Sequence, residues 1–321
     1  MKAAVYDENG GPEVFRYEDV PDPPLHPRGV RFDVQAIGIE GGDVLNRAGG
    51  ALTSKPHVVG YNCAGVIRDV GAEVDDRKPG ERVTALMPSG SHAAMASVAA
   101  AQTWLVPDGL SIEEAACVPV AWGTAADCLF EFGRLQKGET VLIQAGASGV
   151  GLACVQLAKR AGARVLATAG SDEKIARLKE LGLDEGINYR ETDFVAAVRG
   201  LTGGKGVDLV VDSVGNTLEG SLRSLAYRGR AITVGNVSRS DKRIDVSPLA
   251  EQNRSLTGVF FGAEMMIQTA RVRRLLDDLL RDIAKGELRV VVDRTHPLAE
   301  AAAAHAYIES RAAFGRVVLK P

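Results

Sequence analysis

The chain has 321 residues, of which 45% are hydrophobic and 25% charged, proportions that are typical of a globular protein and exclude a disordered or collagen-like chain. Its length favours two domains. The formal net charge of −3 includes no basic block, and aromatic residues make up only 5% of the chain, so nucleic-acid binding is disfavoured.

The amino terminus and the cysteines favour a cytoplasmic protein. Charged residues begin at Lys2, before any apolar stretch long enough to form a signal peptide. The longest apolar run, residues 93–101, is far shorter than the ~20 residues that cross a bilayer, so no membrane contact is expected. The four cysteines form no C-x-x-C pair, which favours reduced thiols over a disulfide framework.

The first 118 residues alternate short β-type runs with proline and glycine turns. Runs such as V-R-F-D-V-Q-A-I-G-I and E-R-V-T-A-L are separated by segments such as P-D-P-P-L-H-P-R-G. Many short strands with turns of this kind predict a compact, mostly β, barrel-like domain.

From about residue 119 strands alternate with helices. Apolar runs begin near positions 140, 164, 186, 207, 230 and 255, and amphipathic helical stretches lie between most of them. Such nearly continuous apolar strands indicate burial on both faces, so this region predicts an α/β fold with a doubly wound parallel sheet. One long helix is predicted over 263–285. After it, two strands around an alanine-rich helix repeat the β pattern of the first domain and are expected to return to it.

The sharpest local signal is the segment Q-A-G-A-S-G-V-G at 144–151, which follows an apolar strand and begins an amphipathic helix. Glycine allows the tight turn and the close packing of helix on strand that a dinucleotide-binding loop requires. The backbone N–H groups at the helix start are then available to a diphosphate. The predicted binding residues are Gly146, Ala147, Ser148, Gly149 and Val150. The alternative is a glycine-rich turn that binds nothing.

The end of the next strand indicates which nucleotide is bound. A free ribose diol calls for Asp or Glu about 20 residues after the loop, but Ala169, Gly170 and Ser171 occupy that place. Lys174 follows, and Tyr189 and Arg190 close the next strand. A hydroxyl and cations suit a 2′-phosphate, so NADPH is the predicted cofactor, with Ser171, Lys174 and Tyr189 in its site. The alternative is that Ser171 only caps its helix and Lys174 is a surface lysine.

Motifs of several other enzyme classes are missing. G-A-S-G-V lacks the second glycine of a hydrolase nucleophile elbow, and G-G-K-G at 203–206 lacks the Ser or Thr of a P-loop. No tyrosine is followed by lysine four positions later, and the five histidines show no metal-ligand spacing.

With these residues in hand, the chain resembles the medium-chain dehydrogenase/reductase superfamily, specifically its zinc-free quinone oxidoreductase branch. The resemblance spans nearly the whole sequence and rests on the segments V-V-G-Y-N-C-A-G-V-I-R-D-V-G (58–71), K-P-G-E-R-V (78–83), V-P-V-A-W-G-T-A (118–125), K-G-E-T-V-L-I-Q-A-G-A-S-G-V-G (137–151), V-D-L-V-V-D-S-V-G (207–215) and F-G-R-V-V-L-K-P (314–321). It implies a GroES-like β-barrel catalytic domain at 1–118 and 287–321, a Rossmann NADPH-binding domain at 119–286, and an active site in the cleft between them.

The resemblance also bears on metal and substrate. The positions that match the catalytic zinc ligands of zinc-dependent members are Glu40, Tyr61–Asn62 and the neighbourhood of Pro119, which do not make a zinc site. No metal is therefore expected. A quinone or an α,β-unsaturated carbonyl is electron-poor enough to accept hydride from nicotinamide C4 without one, and this is the predicted reaction.

The resemblance implies roles in cofactor binding for individual residues. Thr124 is expected to position the nicotinamide, and Arg316 to approach NADPH. The remaining expected cofactor residues end strands or line the nicotinamide end, and they are Gly215, Gly235, Asn236, Phe260 and Phe261.

Asp43 and Tyr61 are the candidates on the substrate side, and with Thr124 they form the predicted catalytic set. The run E-G-G-D at 40–43 departs from the pattern of many quinone reductases, which carry Asn where this chain has Glu40. Asp43 as a turn residue, Tyr61 as a packed aromatic and Phe260 as a core residue are the open alternatives.

Two other functions and an oligomeric state complete the expectations. A non-catalytic NADPH-binding sensor or scaffold would explain the lack of a strong general acid, and a zinc-free carbonyl or alcohol dehydrogenase would use the same fold. The strand S-L-T-G-V-F-F at 255–261 is expected at the edge of the cofactor sheet. Family members commonly pair this edge across a twofold axis, so a homodimer is predicted.

Overall fold

The computed structural model describes residues 1–238 and 243–321. The chain forms two compact units, of which the first comprises Met1–Ala121 with Thr269–Pro321 and the second Trp122–Gln268. The sequence predicted residues 269–286 as part of the cofactor domain, but here they belong to the first unit. Within that unit the indole of Trp104 donates a hydrogen bond to the Arg273 carbonyl at 3.1 Å, which ties this segment to the β region.

Short strands dominate the first 118 residues, as predicted. The strands are β1 (Lys2–Tyr6), β2 (Arg16–Asp19), β3 (Gly29–Gly38), β4 (His57–Val58), β5 (Asn62–Val70), β6 (Arg82–Leu86), β7 (Met95–Ala99) and β8 (Thr103–Leu105). The helices of this region are α1 (Gly41–Gly49) and α2 (Ile112–Ala115), with 3₁₀ turns at Pro12–Val14 and Ala100–Gln102.

The second unit alternates strands and helices. It begins within α3 (Pro119–Ala126), which runs into a π-helical turn at Asp127–Glu131. Its strands are β9 (Thr140–Ile143), β10 (Arg164–Ala169), β11 (Glu185–Asn188), β12 (Val207–Asp212), β13 (Leu225–Thr233) and β14 (Ser255–Gly258). Its helices are α4 (Gly149–Arg160), α5 (Asp172–Lys179), α6 (Phe194–Leu201), α7 (Leu218–Arg223), α8 (Ser247–Glu251) and α9 (Phe261–Ile267).

The chain then returns to the first unit through a helix and two strands. These elements are α10 (Thr269–Ala284), β15 (Val292–Pro297), a 3₁₀ turn at Leu298–Glu300, α11 (Ala301–Glu309) and β16 (Arg316–Lys320). The predicted pair of strands around an alanine-rich helix is therefore confirmed.

The first unit contains two sheets. β2, β1 and β4 form an antiparallel sheet, and a larger sheet has the order β15-β16-β3-β5-β6-β8, with β7 also paired to β3. β3 shows why these residues form strands, because Val30, Phe32 and Val34 face the core while Arg31 and Asp33 point outward. This alternation with period two is what a half-buried antiparallel strand requires.

The sheet of the second unit is entirely parallel and has the order β11-β10-β9-β12-β13-β14. Renumbered within the unit this is the order 3-2-1-4-5-6 of a doubly wound dinucleotide-binding fold, as predicted. β9 is buried on both faces, with Val141, Leu142 and Ile143 at most 1% exposed. β14 lies at the edge, where the sequence predicted it.

The single helix predicted over 263–285 is wrong, because the structure has α9 and α10 separated by Gln268. Five apolar residues of α10 at helical spacing are buried, but the apolar stripe does not extend backward across the break. Met266 and Ile267 are each 73% exposed. The two segments share no buried apolar face, so packing does not favour one straight helix.

Among the residues that the structure describes, no helix is long and apolar enough to span a membrane.

Candidate functional site

The glycine-rich segment forms a tight turn between β9 and α4. Ala145 adopts a left-handed φ of +52°, and the Gly146 N–H donates to the Thr168 carbonyl at 2.8 Å. A side chain at Gly151 would overlap the carbonyl oxygens of Ala145 and Gly146, so only glycine permits this approach of helix to turn. The sequence therefore placed this feature correctly.

The start of α4 offers backbone donors at this turn. Ser148 is the N-cap, and its Oγ accepts the Gly151 N–H at 3.0 Å. Gly149 and Val150 open the first helical turn and are only half-buried, whereas Ala147 is buried. The N–H groups of a first helical turn have no partner within the helix and attract anions, aided by the helix dipole. The arrangement suits one phosphate group of a dinucleotide.

A second cluster lies where β10 ends. A Cβ added to Gly170 would lie 3.0 Å from the Tyr189 hydroxyl and 3.5 Å from Arg190 Nε, so these side chains border the turn. Ser171 caps α5 by accepting the Lys174 N–H at 3.3 Å, which is the role that the alternative prediction gave to this residue. Its hydroxyl proton stays available to an anion. Tyr189 and Arg190 are exposed.

Gly215 and Asn236 meet beyond the ends of β12 and β13. Gly215 has a φ of +94°, and a side chain there would overlap the Asn236 amide oxygen. Gly235 also takes a left-handed φ, of +78°. The Ser238 hydroxyl donates to the Asn236 amide oxygen at 2.8 Å. Three of the predicted cofactor residues are thus brought to the same ends of the parallel strands as the glycine-rich turn, which is where this fold binds ligands.

Four buried polar residues at or beside these strand ends were not predicted from the sequence. Gln144, Thr168, Asp212 and Ser221 are each at most 2% exposed and are joined by side-chain hydrogen bonds. The available signal was a polar residue within or just after an otherwise apolar strand, such as the final Asp of V-D-L-V-V-D. Buried polar groups of this kind need partners, which the sequence does not identify.

The predicted nicotinamide-side residues of the second unit differ in burial. Thr124 in α3 is 6% exposed, and Phe261 at the start of α9 is 5% exposed and packs so closely on Gly123 that a side chain there would overlap its ring. Phe260 is 72% exposed, so the core alternative for this residue is wrong. Exposure of a large aromatic side chain leaves its ring free to cover a ligand.

In the first unit, Glu40 and Arg316 form a buried ion pair. The Arg316 guanidinium donates from Nη1 to Glu40 Oε2 at 2.9 Å and from Nη2 to Oε1. Burial alone would lower the pKa of Arg316, but the Glu40 carboxylate outweighs it and raises the pKa. The charged form of the pair is therefore the stable one. Arg316 thus has an acidic partner within its own unit, and its predicted contact with a cofactor stays a prediction.

Asn62 and Cys117 surround this ion pair. The Asn62 amide donates to the Gly38 carbonyl at 2.7 Å, and its oxygen accepts the Val120 N–H at 3.4 Å. The Cys117 thiol contacts the guanidinium of Arg316, and burial raises the pKa of this thiol to about 11. The thiol is therefore protonated at neutral pH.

Asp43 and Tyr61 lie beside the first turn of α1. Asp43 is completely buried, and its Oδ2 accepts the Glu40 N–H at 2.8 Å, which is the geometry of a helix cap. Burial, reinforced by the nearby Glu40 carboxylate, raises the pKa of Asp43 well above its usual range. Tyr61 is half-buried, its ring packs on Gly42, and its hydroxyl accepts the Asn46 amide at 3.4 Å. Burial also raises the pKa of Tyr61. Of the two side chains, that of Tyr61 is the more exposed.

Comparison with known families gives two matches along the chain. Residues 26–129 match the family described as alcohol dehydrogenase GroES-like domain, and residues 149–281 match the family described as zinc-binding dehydrogenase.

Individual proteins extend this likeness over the full length. A 2-haloacrylate reductase from a Burkholderia species is 35% identical, over 100% of this chain and 99% of its own. The crystal structure of Escherichia coli quinone oxidoreductase complexed with NADPH superposes with a TM-score of 0.95 at 30% identity, covering 100% of both chains. A highly reducing polyketide synthase from Aureobasidium melanogenum is 35% identical over 97% of this chain, which spans only 14% of that much longer protein.

Proposed function

Because the chain belongs to the quinone oxidoreductase branch of the medium-chain dehydrogenase/reductase superfamily and is an oxidoreductase, we propose that it transfers hydride from NADPH to a quinone or an α,β-unsaturated carbonyl without a metal ion. The Glu40–Arg316 ion pair carries this proposal, because the resemblance matches Glu40 to a zinc-ligand position and Arg316 binds both of its carboxylate oxygens.

The residues of the second unit fit NADPH. The N–H groups of Gly149 and Val150 would hold the diphosphate, and the side chains of Ser171, Tyr189 and Arg190 would surround a 2′-phosphate beside Gly170. The end of β10 carries Ala169, Gly170 and Ser171 in place of the carboxylate that binds a free diol. The E. coli relative crystallised with NADPH supports the same nucleotide.

The residues at the zinc positions do not fit a zinc ion. Both Glu40 oxygens are taken by Arg316, and the fixed positive charge of the guanidinium would repel a cation. Cys117, the type of side chain that zinc prefers, contacts the same guanidinium. Across residues 1–238 and 243–321, no three His, Cys, Asp or Glu side chains are grouped closely enough to hold a metal.

Without a zinc ion there is no Lewis acid to polarise a substrate oxygen, which limits the substrate to compounds that accept hydride unaided. NADPH supplies a hydride when bound, and an electron-poor quinone or alkene accepts it without metal activation of an oxygen atom. Tyr61 would supply a proton, because its side chain is only half-buried and a phenol carries its proton at neutral pH. Asp43 lacks the exposure to contact a substrate directly.

The test is NADPH oxidation with a panel of quinones, enones and simple ketones, run with and without a chelator. We expect turnover of quinones or enones that the chelator does not change. Loss of activity on chelation would contradict the metal-free reaction. Tight NADPH binding with no turnover of any acceptor would instead support a sensor or scaffold, and alcohol-dependent reduction of NADP⁺ would support a carbonyl or alcohol dehydrogenase.

We also propose a homodimer formed along β14. Within residues 1–238 and 243–321 this strand pairs only with β13, so its other side would present backbone donors and acceptors to a second copy. Light scattering at micromolar concentration should give twice the chain mass of 33.9 kDa. A mass equal to one chain would overturn this proposal.

A further inference from the structure

Asp212, the last residue of β12, is completely buried and accepts hydrogen bonds from four groups. The N–H groups of Val214 and Gly215 donate to Oδ1 at 2.9 and 3.0 Å. The hydroxyl of Thr217 donates to Oδ2 at 2.8 Å, and that of Ser221 donates to the same oxygen at 2.7 Å. Asp212 thereby fixes the turn that carries Gly215, one of the predicted cofactor residues.

A chain of side-chain hydrogen bonds leads from Asp212 to the glycine-rich turn. Ser221 accepts from the Gln144 amide at 3.1 Å, and the Gln144 oxygen accepts from the Thr168 hydroxyl at 2.7 Å. Thr168 Oγ1 in turn accepts the Ala145 N–H at 3.1 Å. Every donor along this chain points toward Asp212, so each bond strengthens the next.

Ala145 is where this chain meets the nucleotide-binding backbone. Its left-handed φ of +52° is unfavourable for a residue with a side chain, so neighbouring contacts must hold it there. Thr168 makes two of those contacts, with its hydroxyl to the Ala145 N–H and with its carbonyl to the Gly146 N–H at 2.8 Å. The contact to Ala145 therefore depends on the Thr168 rotamer, which Gln144 holds.

We infer that Asp212, acting through Ser221, Gln144 and Thr168, is a positioning residue that holds the turn at Ala145–Gly146 and the turn at Val214–Gly215 in one binding-competent arrangement. This inference rests on the proposed NADPH site. None of the four side chains needs to touch the nucleotide, because each is at most 2% exposed. Their hydrogen bonds order the two turns in the free protein, so less conformational entropy is lost when the nucleotide binds.

The first test compares two serines that are three residues apart. Ser221→Ala removes a member of the chain, whereas Ser224→Ala removes an equally buried serine whose hydroxyl donates only to the Gly220 carbonyl at 2.9 Å. We expect the NADPH dissociation constant, measured by calorimetry, to rise about tenfold in Ser221→Ala, as the loss of a buried hydrogen bond predicts, and to stay unchanged in Ser224→Ala. Equal effects of the two changes, or none from Ser221→Ala, would overturn the inference.

Thr168 provides a second pair that preserves the fold. Thr168→Val keeps the shape of the side chain and removes the hydroxyl, whereas Thr168→Ser keeps the hydroxyl. Thr168→Val should raise the dissociation constant about tenfold or more, since it leaves the Ala145 N–H and the Gln144 oxygen without a partner, and Thr168→Ser should bind almost like the parent. Combining Thr168→Val with Ser221→Ala should cost less than the sum of the two, because both break the same chain.

Hydrogen exchange tests the inference without any nucleotide. In the free protein we expect the Ala145 and Gly146 amides to exchange faster in Thr168→Val than in the parent, while amides within β9 stay equally protected. Unchanged protection of Ala145 would overturn the positioning role. If the parent chain itself fails to bind NADPH, the proposed function falls, and the exchange experiment still decides whether this chain of hydrogen bonds holds the turn.

Discussion

Arg316 and Glu40 join parts of the chain that are 276 residues apart through two parallel hydrogen bonds, with both side chains more than nine-tenths buried. Arg316 is the first residue of β16, and Glu40 immediately precedes α1. The pair therefore fixes the last strand against the first helix of the first unit.

Removal of either charge should strongly destabilise the fold. Glu40→Gln leaves a buried guanidinium without a counter-charge, and we expect the free energy of unfolding in urea to fall by about 3–5 kcal/mol. The double variant Glu40→Gln with Arg316→Met should recover most of this loss, because no buried charge remains. Glu73→Gln, which breaks an exposed pair with Arg28, is the control and should cost about 0–1 kcal/mol. Equal losses from the buried and the exposed change would contradict this account.

Ser171→Asp should shift the nucleotide preference from NADPH toward NADH. Aspartate caps a helix as well as serine does, so α5 should persist, but its charge would repel a 2′-phosphate and accept hydrogen bonds from a ribose diol. We expect the ratio of the two dissociation constants to change by at least about tenfold, as the loss of one charge-assisted contact predicts.

Ser171→Asn is the matched control for this change, because it caps equally well and carries no charge. The ratio of dissociation constants should change far less than in Ser171→Asp. A ratio that is the same in the parent and in both variants would place the 2′-phosphate elsewhere.

The sequence was most informative where the determinant is local. The spacing of glycines at 146–151 and the run of apolar strands predicted the turn, the helix that follows it and the alternation of strands and helices, because each depends on neighbours within a few residues. The helix break at Gln268 was not predicted, because it depends on which neighbouring residues are buried in the completed fold. Propensity alone favours a continuous helix there.

The side-chain partners could not be predicted from the sequence. Thr168 and Asp212 are each a polar residue in an otherwise apolar strand. Their connection runs through Gln144 and Ser221 on other elements. Arg316 was expected to approach the cofactor. Its acidic partner within the first unit, Glu40, could not be identified in advance because the two residues are 276 positions apart in the chain. Such pairings depend on the register of strands and on packing, and a single sequence specifies them only through the completed fold.

Tyr61→Phe tests the proposed proton donor. The ring keeps its packing on Gly42, so folding and the NADPH dissociation constant should stay unchanged. We expect kcat for an enone to fall about a hundredfold, which is the lower end of a general-acid contribution. Tyr17→Phe, which changes a 40% exposed tyrosine of β2, should leave kcat unaltered. An unchanged kcat in Tyr61→Phe would remove Tyr61 from the reaction.

The stability of the protein should also fall in mild acid, because His92 and His305 are a buried neutral pair. Their Nε2 atoms are 3.1 Å apart, and both side chains are fully buried. Burial lowers the pKa of His92 to about 3. Burial, and then the proximity of His92 and Arg47, lowers the pKa of His305 well below its usual value. The unfolded chain therefore binds protons below about pH 6.5 that the folded chain does not.

The stabilising effect of this neutral pair is complete above about pH 6.5 and is lost as the pH falls from there toward the folded-state values. In urea unfolding between pH 6.5 and pH 5, above the range where most carboxylates titrate, we expect each histidine to contribute a slope of up to ~1.4 kcal/mol per pH unit. His305→Gln should remove one of the two contributions and flatten the profile. His26→Gln, which changes an exposed histidine, should not. Identical slopes for His305→Gln and the parent would show that the pair accepts protons without opening the core.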